Sequence, residues 1–220
     1  MSVDLSLMTM LEPRIRQQFF DVSDRLVQVS QDLARPLADA VELTLTAITA
    51  GARVLFVGTG TAQADALAAA ALLCAGSQRP RPGLPALALG ADPAMLATLT
   101  QAEGDMARAL ARQVQALGMP GDVLMIFEGH ATAEESMRLP ALAPLVEAAH
   151  AREVSVVLWS SAPLEENGSP AAEAALACMT DTDLHVPIRA ERPAHRSTIA
   201  RLAWHCVAEA IDNQLMGEPE

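Results

Sequence analysis

The sequence is poor in aromatic and in basic side chains. Aromatic residues make up 3% of the 220 residues and tyrosine is absent, so the core has to be packed mainly from Ala, Leu, Val and Met. Lys and Arg number 15 against 27 Asp and Glu, which gives a formal net charge of −12. Proteins that bind nucleic acid directly neutralise phosphates with clustered Lys and Arg, and the sequence has no such cluster. We therefore expect no direct nucleic-acid partner.

Cysteines are few, and apolar runs are short. Cys74, Cys178 and Cys206 stand far apart in apolar surroundings, a pattern that favours buried free thiols over disulfides or a metal site. No apolar run reaches the roughly 18 residues of a membrane span, and the N-terminus lacks a signal-peptide pattern. We expect a cytoplasmic protein that makes no contact with a membrane and holds neither a metal nor a cofactor.

From Arg53 onward, short apolar runs alternate with helical patterns. The predicted strands lie near residues 53–57, 86–89, 123–127, 154–159 and 184–188, and the predicted helices near 62–75, 93–117, 134–150 and 193–214. Five strands that alternate with helices predict an α/β fold with a parallel sheet covered on both faces.

Residues 4–50 precede the first strand and have a helical pattern. Apolar residues recur every three or four positions from Leu7 to Val29, and again from Leu37 to Ile48 after the break at Arg35-Pro36. We predict an N-terminal helical pair over residues 1–50, followed by a domain over 51–220. The apolar faces of the pair need a partner, and another subunit is a reasonable one.

The segment that follows the first predicted strand is the strongest indication of a ligand site. The strand Val54 to Val57 runs into Gly58-Thr59-Gly60-Thr61, which opens onto a helix rich in Ala and Leu. Such a turn points backbone N–H groups at one spot that can hold an anion such as phosphate; an ordinary tight turn is equally compatible with the pattern. The third glycine of a dinucleotide fingerprint and the lysine of a P-loop are absent.

Two segments resemble the sugar isomerase (SIS) domain family. The run from Gly58 to Ala66 looks like the first turn of that family. The run from Gln113 to Gly118, followed by Gly121-Asp122-Val123-Leu124, is similar to a stretch of phosphoheptose isomerases and of DnaA initiator-associating proteins. The resemblance extends to Leu215. It implies a five-stranded flavodoxin-like sheet (the SIS fold), a homotetramer built partly by the N-terminal helices, and a phosphosugar site between subunits at the carboxyl ends of the strands.

The residues that carry the chemistry of the family are replaced in this chain. The resemblance implies a glutamate on the helix after the first turn, where this sequence has Leu72. It also implies Gln, Glu and His on the last helix, where this sequence has Ser197, Thr198 and Ala200 or Ile199. Leucine and alanine can neither transfer a proton nor ligate a metal. We therefore predict no catalytic residues of the familiar kind.

The loop after the third strand is also altered. The family has a Ser/Thr-rich phosphate loop there, whereas this chain has Glu128-Gly129-His130 and, further on, Glu134 and Glu135. Carboxylates at this position would repel a phosphate dianion. His130 with Glu128 and Glu134 could hold a cation, but a solvated loop is the favoured interpretation. The predicted ligand-binding residues are Gly58, Thr59, Gly60, Thr61, Gln63, Asp92 and Glu128.

Three functions remain open. The leading hypothesis is a non-catalytic SIS-domain tetramer that binds the replication initiator DnaA, with Leu215 and Met216 as partner-binding residues, although these two residues could equally be a frayed helix end. The alternative is a phosphoheptose isomerase acting on sedoheptulose 7-phosphate, with Glu128 and His130 as its acid-base groups. The third is a sensor that binds a sugar derivative.

Overall fold

A five-stranded parallel sheet forms the centre of the protein, as seen in a computed structural model that describes residues 5–76, 80–129, 141–161 and 169–217. The strands are β1 Val54–Gly58, β2 Ala86–Ala88, β3 Val123–Phe127, β4 Ser155–Ser160 and β5 Leu184–Pro187. Their order is β2-β1-β3-β4-β5, and all neighbouring pairs are parallel. This is the flavodoxin-like doubly wound order, so the predicted fold is confirmed.

Seven α-helices lie in the described part of the chain, and most match the predicted ones. They are α1 Leu5–Thr49, α2 Gln63–Ala75, α3 Pro93–Glu103, α4 Met106–Leu117, α5 Ala143–His150, α6 Pro170–Leu176 and α7 Pro193–Met216. A short 3-10 turn, Gly60–Ala62, precedes α2. The predicted helix 93–117 is two helices, because Gly104 takes a left-handed conformation and Asp105 caps a new start. Residues 134–140 of another predicted helix lie outside the described residues.

The helices cover both faces of the sheet. Side chains of β1 alternate between the faces: Phe56 packs with α1, α2 and α7, and Leu55 packs with α4, α5 and α6. Strands β1 and β3 are buried along their whole length, which explains their continuous apolar sequences. One face also gathers four aromatic rings into a cluster of stacked and edge-on pairs, formed by Phe56, Phe127, Trp159 and Trp204.

The N-terminal segment is one long helix, so the predicted break at Arg35-Pro36 is wrong. Pro36 lies inside α1, where it lacks the N–H that a helix interior uses. Leu33 and Ala40, on either side of it, are both buried in the core. Packing of α1 against the sheet and α7 therefore offsets the local cost of the proline, which sequence pattern alone treats as a stop.

The first half of α1 extends beyond the rest of the molecule. Arg25 Nε donates to the carbonyl oxygen of Arg189 at 3.0 Å, just after β5 ends, so residue 25 stands level with the carboxyl edge of the sheet. From there the helix continues toward its N-terminus with every side chain from Leu11 to Phe20 exposed. Phe19 is 71% exposed. The predicted role of this segment in oligomerisation stays a prediction.

The three cysteines are free, but the expected burial is wrong. Cys74 and Cys206 are exposed and Cys178 is half-buried; Cys74 lies at the open edge of the sheet, with its Sγ 3.5 Å from the carbonyl oxygen of Ala86 in β2. None of the helices in the described ranges combines the length and the apolar character that crossing a membrane requires.

Candidate functional site

The turn after β1 depends on glycine at its first position. A Cβ on Gly58 would lie 2.2 Å from the carbonyl oxygen of Ala62, a distance that no real side chain tolerates. The missing side chain lets the 3-10 turn fold directly back onto the end of the strand. Gly60, with φ of +54°, then reverses the chain. Gly60 and Thr61 are exposed at the carboxyl edge of the sheet.

Gln63 fastens the turn to the neighbouring strand. Its Oε1 accepts a hydrogen bond from Gly58 N at 3.1 Å, and its Nε2 donates to the carbonyl oxygen of Leu89 at 2.8 Å. The side chain thus joins the ends of β1 and β2. Gln63 was predicted to bind a ligand, and the structure engages both ends of its amide in supporting the turn.

Thr59 joins the loops after β1 and β3. Gly129 N donates to Thr59 Oγ1 at 2.9 Å, and Thr59 N donates to the carbonyl oxygen of Phe127 at 3.0 Å. A Cβ on Gly129 would lie 2.7 Å from Thr59 O, so glycine is needed for this close approach as well. The contact brings Glu128, which precedes Gly129, next to the first turn.

Glu128 is a buried carboxylate that is only half satisfied. The residue is 3% exposed, and its backbone N donates to the carbonyl oxygen of Trp159 at 2.9 Å. Its Oε2 accepts two hydrogen bonds from Ser161, one from the backbone N and one from Oγ, each at 2.8 Å. Its Oε1 is buried without a hydrogen-bond partner among the described residues.

Arg196, in the first turn of α7, adds a positive charge near this carboxylate. Burial lowers the pKa of its guanidinium, and the negative charge of Glu128 raises that pKa in part. One nitrogen, Nη1, donates to the carbonyl oxygen of Ala190 at 2.8 Å. The residues Thr59 to Thr61, Glu128, Ser161 and Arg196 together form what we call the carboxyl-edge site.

The positions that resemble the acid-base residues of the family carry no titratable group toward this site. Leu72 packs against the core between the sheet and α1. On α7, Ile199 and Ala200 are buried. Thr198 is exposed, and its hydroxyl donates a hydrogen bond to the carbonyl oxygen of Ala194 at 2.9 Å. Next to them, Arg201 Nε pairs with the buried Asp65 of α2 at 3.0 Å, which ties the first turn of α2 to α7.

Three other predicted site residues lie apart from this cluster or serve a local role. Asp92 is exposed and caps α3, where its Oδ1 accepts from Ala94 N at 2.8 Å and from Met95 N at 3.0 Å. Leu215 and Met216, 37% and 49% exposed, end α7 near the amino edge of the sheet. The predicted partner-binding pair is therefore at the opposite edge from the carboxyl-edge site.

Sequence reasoning missed the partnership between Glu128 and Ser161. The sequence contained a signal for this contact. Glu128 directly follows β3 and Ser161 directly follows β4, and because adjacent parallel strands end side by side, the two residues could be expected to lie close together. His130, Glu134 and Glu135 lie outside the described residues. Within the described ranges, no group of three or more His, Cys, Asp or Glu side chains is arranged to hold a metal ion.

Comparison with known proteins gives a consistent result. A sequence model of the SIS domain matches residues 18–160. A phosphoheptose isomerase of Methylibium petroleiphilum is 38% identical over 213 residues, which cover 97% of this chain and 99% of that protein. The structure of a phosphoheptose isomerase from Neisseria gonorrhoeae matches with a TM-score of 0.73 at 24% identity, covering 92% of this chain and 99% of that one. A phosphoheptose isomerase from Francisella tularensis matches with a TM-score of 0.77 at 22% identity, covering 91% and 97%. At these identities, the two structures support the assignment of the fold alone.

Proposed function

Because the chain belongs to the SIS domain family, we propose that its carboxyl-edge site binds a sugar derivative. The observation that carries this proposal is the hydrogen bond from Gly129 N to Thr59 Oγ1. It joins the loops after two neighbouring strands, and so sets the exposed turn at Gly60 and Thr61 beside the carboxylate of Glu128. Ligands of open parallel sheets bind at this edge, where the strand order reverses.

Isomerisation of a ketose is the activity that the relatives favour, in preference to the adaptor role expected from the sequence. Moving a proton between two neighbouring sugar carbons needs a base within hydrogen-bond reach of them. In the described part of the site, Glu128 is the carboxylate available for this, since Ser161 fixes one of its oxygens and leaves the other unbonded. Arg196 would stabilise the negative charge that develops on the sugar oxygen.

Incubation with sedoheptulose and with sedoheptulose 7-phosphate tests this activity. We expect an aldose product by NMR with at least one of the two ketoses, and we expect Glu128→Gln to reduce the rate by about 100-fold or more. Glu147→Gln serves as the control, because Glu147 is an exposed carboxylate on α5 and should leave the rate unchanged. Absence of product with both sugars would contradict isomerase activity. Sugar binding would then still be tested separately, by calorimetry.

Binding without chemistry, as an adaptor for DnaA, is the second candidate. It is favoured by Leu72, Ile199 and Ala200 at the positions where the resemblance implies acid-base residues, and by the exposure of Leu215 and Met216 at the end of α7. A pull-down with purified DnaA tests it. The adaptor predicts capture by the wild type and at least about tenfold weaker capture by Leu215→Ser/Met216→Ser. If the wild type and the double variant bind DnaA with the same affinity, Leu215 and Met216 are not the contact.

A further inference from the structure

Glu128 has an unusual set of partners for a buried carboxylate. Native proteins hydrogen-bond nearly all of their buried polar atoms, and an exception calls for an explanation such as a binding role. Oε2 is satisfied twice by Ser161, so the side chain is held in one orientation. Oε1 is left as an acceptor with no partner in the described chain, at the edge where a sheet of this kind binds its ligand.

The charge at this position decides which ligand group can approach. An ionised glutamate only accepts hydrogen bonds, so in that form Glu128 has no proton to donate to a phosphate oxygen. The guanidinium of Arg196 interacts electrostatically with the Glu128 carboxylate. Its single positive charge can offset at most one negative charge at this site. A phosphate dianion placed against Oε1 would add two more, in a chain that has no lysine and a net charge of −12.

We propose that Glu128 Oε1 accepts a hydrogen bond from a neutral sugar hydroxyl, so that the site selects a ligand with a hydroxyl, and not a phosphate, at this position. The inference rests on the proposed sugar-binding function and names its ligand class. An unphosphorylated polyol or ketose meets the requirement directly. A hydroxyl supplies the donor that the orphaned oxygen lacks, and because it is neutral it adds no charge next to Glu128.

Calorimetric titration with three probes tests the inference: sedoheptulose, sedoheptulose 7-phosphate and inorganic phosphate. The wild type is expected to bind sedoheptulose at least as tightly as its 7-phosphate, and inorganic phosphate should not displace the sugar. Glu128→Gln keeps the shape and an acceptor for Ser161 but turns the free oxygen into an N–H donor. The variant should bind sedoheptulose about tenfold more weakly and should gain about tenfold in relative preference for the phosphate, a change of about 1.4 kcal/mol.

The outcomes separate the inference from the function on which it rests. If the wild type prefers the 7-phosphate by about tenfold or more and Glu128→Gln leaves that ratio unchanged, sugar binding stands and the hydroxyl subsite is wrong. If no probe binds to the wild type, the proposed sugar-binding function fails and the inference fails with it. Should Glu128→Gln not fold, displacement of sedoheptulose from the wild type by inorganic phosphate would overturn the inference by itself.

Discussion

Two buried carboxylates on opposite edges of the sheet differ in how completely they are hydrogen-bonded. At the amino edge, Asp122 accepts from the backbone N of Arg53 at 2.9 Å and of Met119 at 3.0 Å, and it pairs with the Arg53 guanidinium at 2.8 Å. At the carboxyl edge, Glu128 keeps one oxygen without a partner in the described chain. We interpret the saturated carboxylate as structural and the half-satisfied one as functional.

Removal of the Asp122 carboxylate should destabilise the fold. Asp122→Ala would leave two backbone N–H groups without their acceptor and would break the pair with Arg53, at a cost of about 2 to 3 kcal/mol in the free energy of unfolding. Urea denaturation measures this. The control is Asp105→Ala, which removes a partly exposed helix cap that accepts from Arg108 N at 2.9 Å and lies 3.4 Å from the guanidinium of the exposed Arg108, and it should cost about 1 kcal/mol. Equal losses in the two variants would contradict the structural role of Asp122.

The stability should also depend on pH through His185. Burial, and secondarily the positive charge of Arg189, lower the pKa of this histidine below its ordinary value of 6.5. Its Nε2 lies 2.9 Å from the hydroxyl oxygen of the buried Ser160. The unfolded chain therefore binds a proton first as the pH falls. The contribution of neutral His185 is fully present above about pH 6.5 and is lost below it.

Measurement of the free energy of unfolding at pH 7.5 and 5.5 checks this dependence. We expect His185→Gln to lose less stability than the wild type between the two values, because the variant has no imidazole to protonate at this position. His205→Gln is the control, since His205 is exposed on α7. The expectation is wrong if His185→Gln and the wild type lose the same amount.

At the scale of elements, the strands were predictable from the sequence pattern and their flavodoxin-like order from the family resemblance, whereas helix continuity was not. β1 and β3 carry uninterrupted apolar runs because both of their faces are buried, and that pattern is visible in sequence. The continuity of α1 through Pro36 depends on the contacts of Leu33 and Ala40 with the core, which no local pattern contains. The pairing of Glu128 with Ser161 is likewise a contact between elements that are distant in sequence.

The turn between β1 and α2 should not tolerate a side chain at Gly58. The atoms that a Cβ would meet there, the carbonyl group of Ala62 and the N of Gln63, are all backbone and lie within 2.5 Å. We expect Gly58→Ala to lose at least about 3 kcal/mol of stability. Gly51→Ala is the matched control: its φ is +85°, but no atom lies within 4 Å of its Cβ position, so its cost should be about 1 kcal/mol. Thermal unfolding that ranks Gly51→Ala as the more damaging change would contradict this account.

At the scale of the whole molecule, the part of α1 from Leu11 to Phe20 exposes every one of its side chains. The 45 residues of α1 make it about 68 Å long, and Leu11, Ile15 and Phe19 form a stripe at four-residue spacing on the part that projects. These side chains are 48%, 54% and 71% exposed. Exposed apolar side chains that lie next to one another on a surface mark protein contacts, and a second copy of the chain is the partner that we propose.

Negative charges introduced into that stripe should dissociate the oligomer. We expect the wild type to be a tetramer by light scattering at micromolar concentration, and Ile15→Asp/Phe19→Asp to shift it to smaller species. Gln17→Asp, on the same exposed stretch but on the opposite face of the helix from the stripe, should leave the mass unchanged. A monomeric wild type, or a tetramer that survives the double substitution, would rule out this surface as the assembly contact.

A crystal structure of the protein soaked with sedoheptulose tests the central claim most directly. We predict density for the sugar at the carboxyl-edge site, with a hydroxyl oxygen within about 3.2 Å of Glu128 Oε1 and Ser161 still bonded to Oε2. A sugar bound elsewhere on the molecule, or a Glu128 oxygen paired with another protein group and closed to the ligand, would contradict the account.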